Sequence, residues 1–232
     1  MDETEFDRFA DQYYELHTQY TKYSGEDPDF FFEYKIRDVA TALPESLDKP
    51  INILDFGTGI GSSVPYLKKY FSVSELTGID VSRRSLGIAR PRFPGLAHYV
   101  VVSGETLPFR DAQFDLVFTS CVFHHIPHRA HLPIFREIQR VLKKDGDFFL
   151  FEHNPRNPLT VRTVKACPFD ENAELIDAKP MSVRLREAGF VTTTLRYRLF
   201  FPGFLRQLRS LEKYMMWIPL GAQYYIHANR IV

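Results

Sequence analysis

The run Ile51-Asn-Ile-Leu-Asp-Phe-Gly-Thr-Gly-Ile-Gly-Ser-Ser63 has glycines at three alternate positions, Gly57, Gly59 and Gly61. An apolar stretch ending in an acid, Asp55, precedes them. Glycine lacks Cβ and admits positive φ, tight turns and close approach of a ligand to the backbone. A strand, a glycine loop and an opening helix place a nucleoside-type ligand at the carboxyl edge of a parallel sheet. Dinucleotide loops favour Gly-x-Gly-x-x-Gly, with a pyrophosphate on the helix N-terminus. Here the position that spacing requires is Ser62. A carboxylate at Asp55 would also repel a pyrophosphate, whereas it suits a ligand bearing an ammonium group.

A second acid, Asp80, ends the next apolar run, about 20 residues beyond the loop, where an acid can take both ribose hydroxyls. Ser82 just after it reads as a helix N-cap. An adenosine, an ammonium group and a sulfonium occur together in S-adenosylmethionine, which the two acids and the alternate glycines favour as cofactor. Methyl transfer needs alignment above all, and a base where the acceptor must lose a proton. Candidate bases lie beyond two later apolar runs, in Thr119-Ser-Cys-Val-Phe-His-His-Ile-Pro127 and Phe151-Glu-His-Asn-Pro155. They are His153, His125 and His124. No His-x-x-x-His or Cys-x-x-Cys spacing supports a metal site, and none is expected. Cys121 and Cys167 read as small buried hydrophobes.

The elements that must position these residues follow from the pattern. Residues 1–48 are helical and aromatic (Phe6, Phe9, Tyr13, Tyr14, Leu16, Tyr20), broken at Ser24-Gly-Glu-Asp-Pro28, with a second helix from Phe30 to Leu43 that stops near Pro44. Strands are predicted at 51–56, 75–80, 98–102, 114–120 and 147–152. Helices are predicted at 62–71 and 82–90 and around the stripe Leu132, Phe135, Ile138, Val141, Leu142. Lys143-Lys-Asp-Gly146 reads as a helix exit with a glycine stop. Prolines make long elements unexpected over 154–180. A short helix (182–188), a β-rich run (190–201), a helix after Pro202-Gly203 and a terminal strand (223–232) complete the chain. Alternating strands and helices imply a doubly wound, mostly parallel α/β sheet with helices on both faces. No linker marks a second domain, so 1–232 reads as a single domain: an N-terminal helical cap (1–48), a cofactor-binding core (49–153) and substrate-cap segments with the last strands (154–232).

The chain has 232 residues, 44% of them hydrophobic, and no formal net charge, which argues for a folded α/β domain and against a global pull toward nucleic acid. No basic tract with interleaved aromatics points to nucleic acid either. With its acidic start, paucity of cysteine and lack of a long apolar run, the chain is expected to be cytoplasmic.

The segments Leu54-Asp-Phe-Gly-Thr-Gly-Ile-Gly61, Gly78-Ile-Asp-Val81, Leu107-Pro-Phe-Arg-Asp-Ala-Gln-Phe-Asp115, Phe123-His-His-Ile126 and Arg136-Glu-Ile-Gln-Arg-Val-Leu-Lys-Lys-Asp-Gly146 resemble, in order and spacing, class I S-adenosylmethionine-dependent methyltransferases of the group called methyltransferase domain 11. The resemblance covers roughly residues 50–153. It implies a Rossmann-like, seven-stranded sheet with an antiparallel last strand. It implies that Asp55, Gly57 and Gly59 face the methionine end of the cofactor, with Thr58, Gly61 and Ser120 in the same set. Asp80 would hold the ribose, and Val81 would lie on the adenine. Relatives often carry Gly-Asp-Ala-Glu before the Leu-Pro-Phe turn, whereas this chain has Val102-Ser-Gly-Glu105. Ser103 takes the Asp position, and backbone of Gly104 and Glu105 can replace its adenine contact.

The stretch from Glu152 to Asp170 resembles bacterial methyltransferases found beside polysaccharide and cell-envelope sugar genes. It implies a small-molecule or sugar-type acceptor, for which Asn154, Arg156, Asn157 and Thr160 are candidate donors. The segment 200–217, with Leu205, Leu208, Leu211 and Met215, reads as a cap helix packed on the core. Its alternative is an amphipathic face, flanked by Arg206, Arg209 and Lys213, for a lipid-linked acceptor, a membrane surface or a partner subunit such as a homodimer mate. The expected activity is methyl transfer to a small-molecule or glycan-precursor acceptor, O-methylation first. C-methylation of a quinone- or lipid-type acceptor is second, and cofactor binding without catalysis third. A nicotinamide-dependent oxidoreductase or epimerase would want glycine at 62 and a Tyr-x-x-x-Lys pair, and neither is present.

Overall fold

The computed structural model describes Asp7, residues 10–21 and residues 24–230. Phe6 and Phe9 of the aromatic N-terminal stretch lie outside the described residues. A turn at Ala10–Gln12 leads into helix α1 (Tyr13–Thr21), and α2 (Pro28–Ala42) follows. Asp27 caps α2 by accepting from Phe30 N at 2.9 Å, and Pro28 sits in its first turn. The alternating part comprises β1 (Ile51–Phe56), α3 (Val64–Tyr70), β2 (Val73–Asp80), α4 (Arg83–Arg92), β3 (His98–Val101), β4 (Phe114–Ser120), α5 (His128–Val141) and β5 (Leu142–His153). Then come α6 (Pro158–Ala166), α7 (Ala178–Glu187), β6 (Phe190–Arg198), a 3-10 stretch (Gly203–Leu211) that runs into α8 (Glu212–Met215), and β7 (Gln223–Arg230).

The seven strands form one sheet in the order β3-β2-β1-β4-β5-β7-β6. β1 to β5 run parallel, and β7 lies antiparallel between β5 and β6. This is the doubly wound seven-stranded α/β fold with an antiparallel last strand. Two apolar layers sandwich it. Ile53, Leu116, Phe118, Phe149 and Phe151 meet Ile36 and Val39 of α2 and Leu67 of α3. Leu54, Val117, Phe148 and Leu150 meet Phe135 and Ile138 of α5 and Leu185 of α7. The alternation of strand side chains therefore fixes which residues at the carboxyl edge face which helix. Asp55, Ser120 and His153 share the α2 face, and Glu152 lies on the opposite face.

Three local expectations are corrected. Lys143–Gly146 is not a helix exit with a glycine stop: β5 begins at Leu142. The left-handed residue there is Asp145 (φ 60), and Gly146 is needed for close approach, since a Cβ would come within 2.9 Å of Lys143 O. The proline-rich 154–180 segment holds the nine-residue α6, because Asn157 caps it at 3.0 Å from Thr160 N and Pro158 occupies its first turn. The apolar side of the 203–217 segment faces mostly outward rather than onto the core, although Glu212 is buried. Phe204 is 82% and Trp217 73% exposed, and Leu208, Leu211 and Tyr214 are exposed with them.

Candidate active site

Gly57, Gly59 and Gly61 all take positive φ (76°, 55° and 77°). The loop's own N–H groups are spent within the chain. Gly57 N and Thr58 N both donate to Ile79 O at 2.9 Å, Gly61 N donates to Thr58 O at 2.9 Å, and Gly59 N donates to Asp80 Oδ2 at 2.8 Å. Such a loop offers few free donors to a pyrophosphate but presents two acids. Asp80 Oδ1 accepts from Ser82 N at 2.9 Å, so each carboxylate oxygen retains a lone pair for a ribose hydroxyl. Burial raises the Asp80 pKa, and the Ser82 and Gly59 N–H groups work against that rise. Ser82 Oγ caps α4 at Ser85 N (2.9 Å) and donates to Asp7 Oδ1 (2.5 Å), which ties the N-terminal segment to this edge. Val81 is buried beside Asp80, and Ser103, Gly104 and Glu105 stand exposed after β3. The pocket over the loop is lined by Phe32, Lys35, Asp55, Gly59, Ser63 and Ser120, among others. An adenosine-type ligand with an ammonium terminus fits this donor set.

The glycines differ in what an added Cβ would meet. At Gly57 it would lie 2.3 Å from Val122 Cγ2, whereas at Gly59 it would meet nothing within 4 Å. Left-handed strain costs about 1–2 kcal/mol, and forced overpacking adds about 1–3 kcal/mol. Gly57→Ala should therefore lower the thermal midpoint clearly more than Gly59→Ala. Gly59→Ala should leave the fold near intact and weaken S-adenosylhomocysteine, measured by calorimetry, because its methyl enters the open space over the loop.

Asp55 is buried and accepts from Thr58 Oγ1 at 2.6 Å and from Ser63 Oγ. Burial pushes its pKa up from 3.8 to about 6, with the two hydroxyls opposing and Asp80 adding to the rise. A raised folded-state pKa means the neutral acid is favoured in the native state. The associated stability is present below about pH 4 and is lost as pH rises through about 6. Two pKa units correspond to about 3 kcal/mol. Asp55→Asn keeps an acceptor for the hydroxyls and cannot ionise. Its unfolding free energy, from denaturant titration, should gain on the unsubstituted chain between pH 4 and pH 7, by up to that amount.

A second polar group adjoins the loop. Lys35 projects from α2 and is 4% exposed, with Nζ donating to Ser120 Oγ at 2.6 Å and reaching Cys121 Sγ at 3.7 Å. Gln223 Nε2 donates toward the same sulfur at 3.8 Å and toward His153 Nδ1 at 3.4 Å. Tyr34 Oη donates to Gln223 Oε1. Cys121 has φ 57, which turns its side chain into this polar group. Burial opposes its ionisation, but His153 and Lys35 outweigh burial and bring the thiol down to about 6. Cys121 is thus not the inert small hydrophobe expected from the sequence. Cys167 is, with burial pushing its thiol up to about 12. His153 is raised by Cys121 against the effect of burial.

Beyond His153, His124 is buried, with its ring centroid 5.3 Å from that of His153. His124 Nδ1 bonds Glu152 Oε2 at 2.5 Å, and Glu152 Oε1 accepts from Val122 N (3.1 Å) and Phe123 N (2.7 Å). Asp170 faces both His124 and His125, whose imidazoles overcome burial and hold its carboxyl well below the usual range. Asp170 also lines a cavity of about 620 Å³ under α6, with Val161, Val164 and Leu175.

All three predicted histidines therefore stand together at the sheet edge. Lys35, Tyr34, Asp170 and Gln223 were not picked out from the sequence. The donors suggested for a sugar are occupied within the chain. Asn154 Nδ2 donates to Gly221 O (2.7 Å), Asn157 Nδ2 to Leu220 O (2.8 Å) and Thr160 Oγ1 to Ala222 O (3.0 Å), while Arg156 pairs with Asp177. The first three fasten the start of α6 to the turn before β7, and Arg156 ties it to the start of α7.

Residues 54–150 match the family pattern of a methyltransferase domain. An uncharacterized methyltransferase of Synechocystis sp. is 32% identical over 164 residues, 68% of this chain and 74% of that one. Demethylmenaquinone methyltransferase of Thermotoga maritima is 33% identical over 108 residues, 47% of this chain and 46% of that enzyme. Part of the relatives' length thus lies outside the match. A solved S-adenosylmethionine-dependent methyltransferase of Thermotoga maritima, described as a possible histamine N-methyltransferase, superposes with a TM-score of 0.70 at 18% identity, over 98% of this chain and 99% of that one. The glycine loop, the two acids, the sheet order and these matches together show that this chain belongs to the class I S-adenosylmethionine-dependent methyltransferases of the methyltransferase domain 11 type.

Proposed function

We propose that this chain transfers the methyl group of S-adenosylmethionine to the hydroxyl oxygen of a small apolar, ring-bearing or lipid-type acceptor. The observation that carries this reading is Lys35, a buried ammonium between the glycine-loop pocket and His153. When bound, the cofactor supplies an electrophilic methyl carbon whose sulfonium leaving group needs no acid. Asp80 and the loop glycines hold its ribose and methionine portions. In its neutral form His153 takes the acceptor's O–H proton, and Lys35 stabilises the oxyanion that remains. The cavity beyond Asp170 is of a size to take the body of a ring-sized molecule. The exposed apolar face at 203–217, with Arg206 and Lys213 beside it, suits an acceptor drawn from a lipid surface. Among the described residues no helix is long and apolar enough to cross a membrane.

A second reading is C-methylation, favoured by the likeness to a demethylmenaquinone methyltransferase. A ring hydroxyl deprotonated by the same residues carries nucleophilic density at the adjacent ring carbon as well as at oxygen. The test is incubation with methyl-labelled S-adenosylmethionine and separate quinol-type, phenolic and sugar-nucleotide acceptors. Label should enter a quinol-type or phenolic product, with its position deciding between oxygen and carbon. Lys35→Met should lower turnover about 100-fold or more. Label in the sugar nucleotides alone, or full turnover in Lys35→Met, would contradict the reading.

A further inference from the structure

His124, His125 and Asp170 bring three metal-ligating atoms within 4.8 Å of one another. Asp170 Oδ1 lies 3.5 Å from His124 Nε2 and 3.4 Å from His125 Nε2. An N–H···O hydrogen bond closes to about 2.7–3.2 Å. Ligands each about 2.1 Å from a tetrahedral ion stand about 3.4 Å apart. The observed separations match the second figure.

The surroundings of His124 fix its ring in the orientation a ligand needs. Glu152 Oε1 is held by two backbone N–H groups, which leaves Oε2 for His124 Nδ1. A ring that gives its Nδ1 proton to a carboxylate keeps a lone pair on Nε2, the arrangement found behind metal-bound histidines. His124 is 1% exposed, and its Nε2 has no hydrogen-bond partner among the described residues, facing Asp170 instead.

We infer that His124, His125 and Asp170 hold a divalent transition-metal ion of the zinc or iron(II) class, with Glu152 orienting His124. Two imidazoles and one carboxylate leave further coordination positions open, and Asp170 borders the cavity proposed for the acceptor. The ligands lie on two separate loops, so no short-range spacing in the sequence announces them. The inference goes beyond the methyl-transfer reading and stands or falls without it.

The test uses the untagged full chain, stripped with a chelator and titrated with Co²⁺ and then Zn²⁺. One Co²⁺ per chain should bind, with the intense visible absorption of low-coordinate cobalt, and Zn²⁺ should displace it. Loss of an outer-shell partner costs about 10–100-fold in affinity, so Glu152→Gln should fall in that range. Asp170→Asn and His125→Gln should exceed it. Circular dichroism checks that each variant folds, and Asp170→Asn is the near-isosteric choice if His125→Gln does not. S-adenosylhomocysteine affinity, measured alongside, should stay unchanged in Asp170→Asn. Absence of stoichiometric binding, or binding undiminished in both folded ligand variants, would overturn the site and leave the cluster a hydrogen-bonded structural one. Failure of the chain to bind S-adenosylhomocysteine while metal binding persists would count against the methyl-transfer reading alone.

Discussion

Asp80→Ala is expected to weaken S-adenosylhomocysteine by about 100-fold or more. Its carboxylate ends β2, and each oxygen already accepts one backbone N–H, from Gly59 and from Ser82. In the proposed cofactor site the remaining lone pairs would take the two ribose hydroxyls. Hydrogen bonds to a charged partner contribute about 1.5–3 kcal/mol each, and about 1.4 kcal/mol is tenfold in affinity. Two such bonds account for the expected loss. The substitution also frees Gly59 N and so loosens the loop that meets the rest of the ligand. Asp80→Asn retains one acceptor and should give an intermediate affinity. Thermal unfolding of both variants separates a binding defect from a folding defect. Unchanged calorimetric affinity in folded Asp80→Ala would remove Asp80 from the ribose site.

Glu152→Ala should produce the largest loss of stability, about 3–5 kcal/mol. Three donors converge on this one buried carboxylate: Val122 N, Phe123 N and His124 Nδ1. Removal leaves two buried N–H groups and an imidazole without their acceptor, each at about 1–3 kcal/mol. A shift of about 2–4 °C per kcal/mol for a domain of this size puts the drop in thermal midpoint at roughly 10 °C. Glu152→Gln keeps Oε1 for the two backbone donors and should recover most of the loss. A drop below about 2 °C in Glu152→Ala would mean that water or a shifted loop replaces the carboxylate.

The glycine loop, both acids and the strands that carry them were legible because each is local. The strand predicted at 114–120 is the observed β4, and Ser82 caps α4 as its type and place suggested. What the sequence concealed depends on distant pairing. The terminal strand was recognised, but its place between β5 and β6 comes from partners remote in the chain. Lys35 has no motif around it. It lies at helical spacing from Phe31, Phe32 and Val39 of α2, and the face of β4 and β5 it meets is decided by sheet register. A lysine inside an apolar helix stripe was the available signal, since buried lysines need a partner. Asp170 follows a proline turn in a segment without periodicity, and only its docking on His124 and His125 reveals its place. The misread stripe at 203–217 shows the reverse. Its spacing predicts an amphipathic helix, but periodicity cannot tell whether the apolar side meets the core or faces outward.

The most direct test of the account is calorimetric titration of the chain with S-adenosylhomocysteine and, separately, with NAD. One S-adenosylhomocysteine should bind per chain, with no measurable heat of binding from NAD. Tight NAD binding, or no binding of S-adenosylhomocysteine by folded protein, would contradict it.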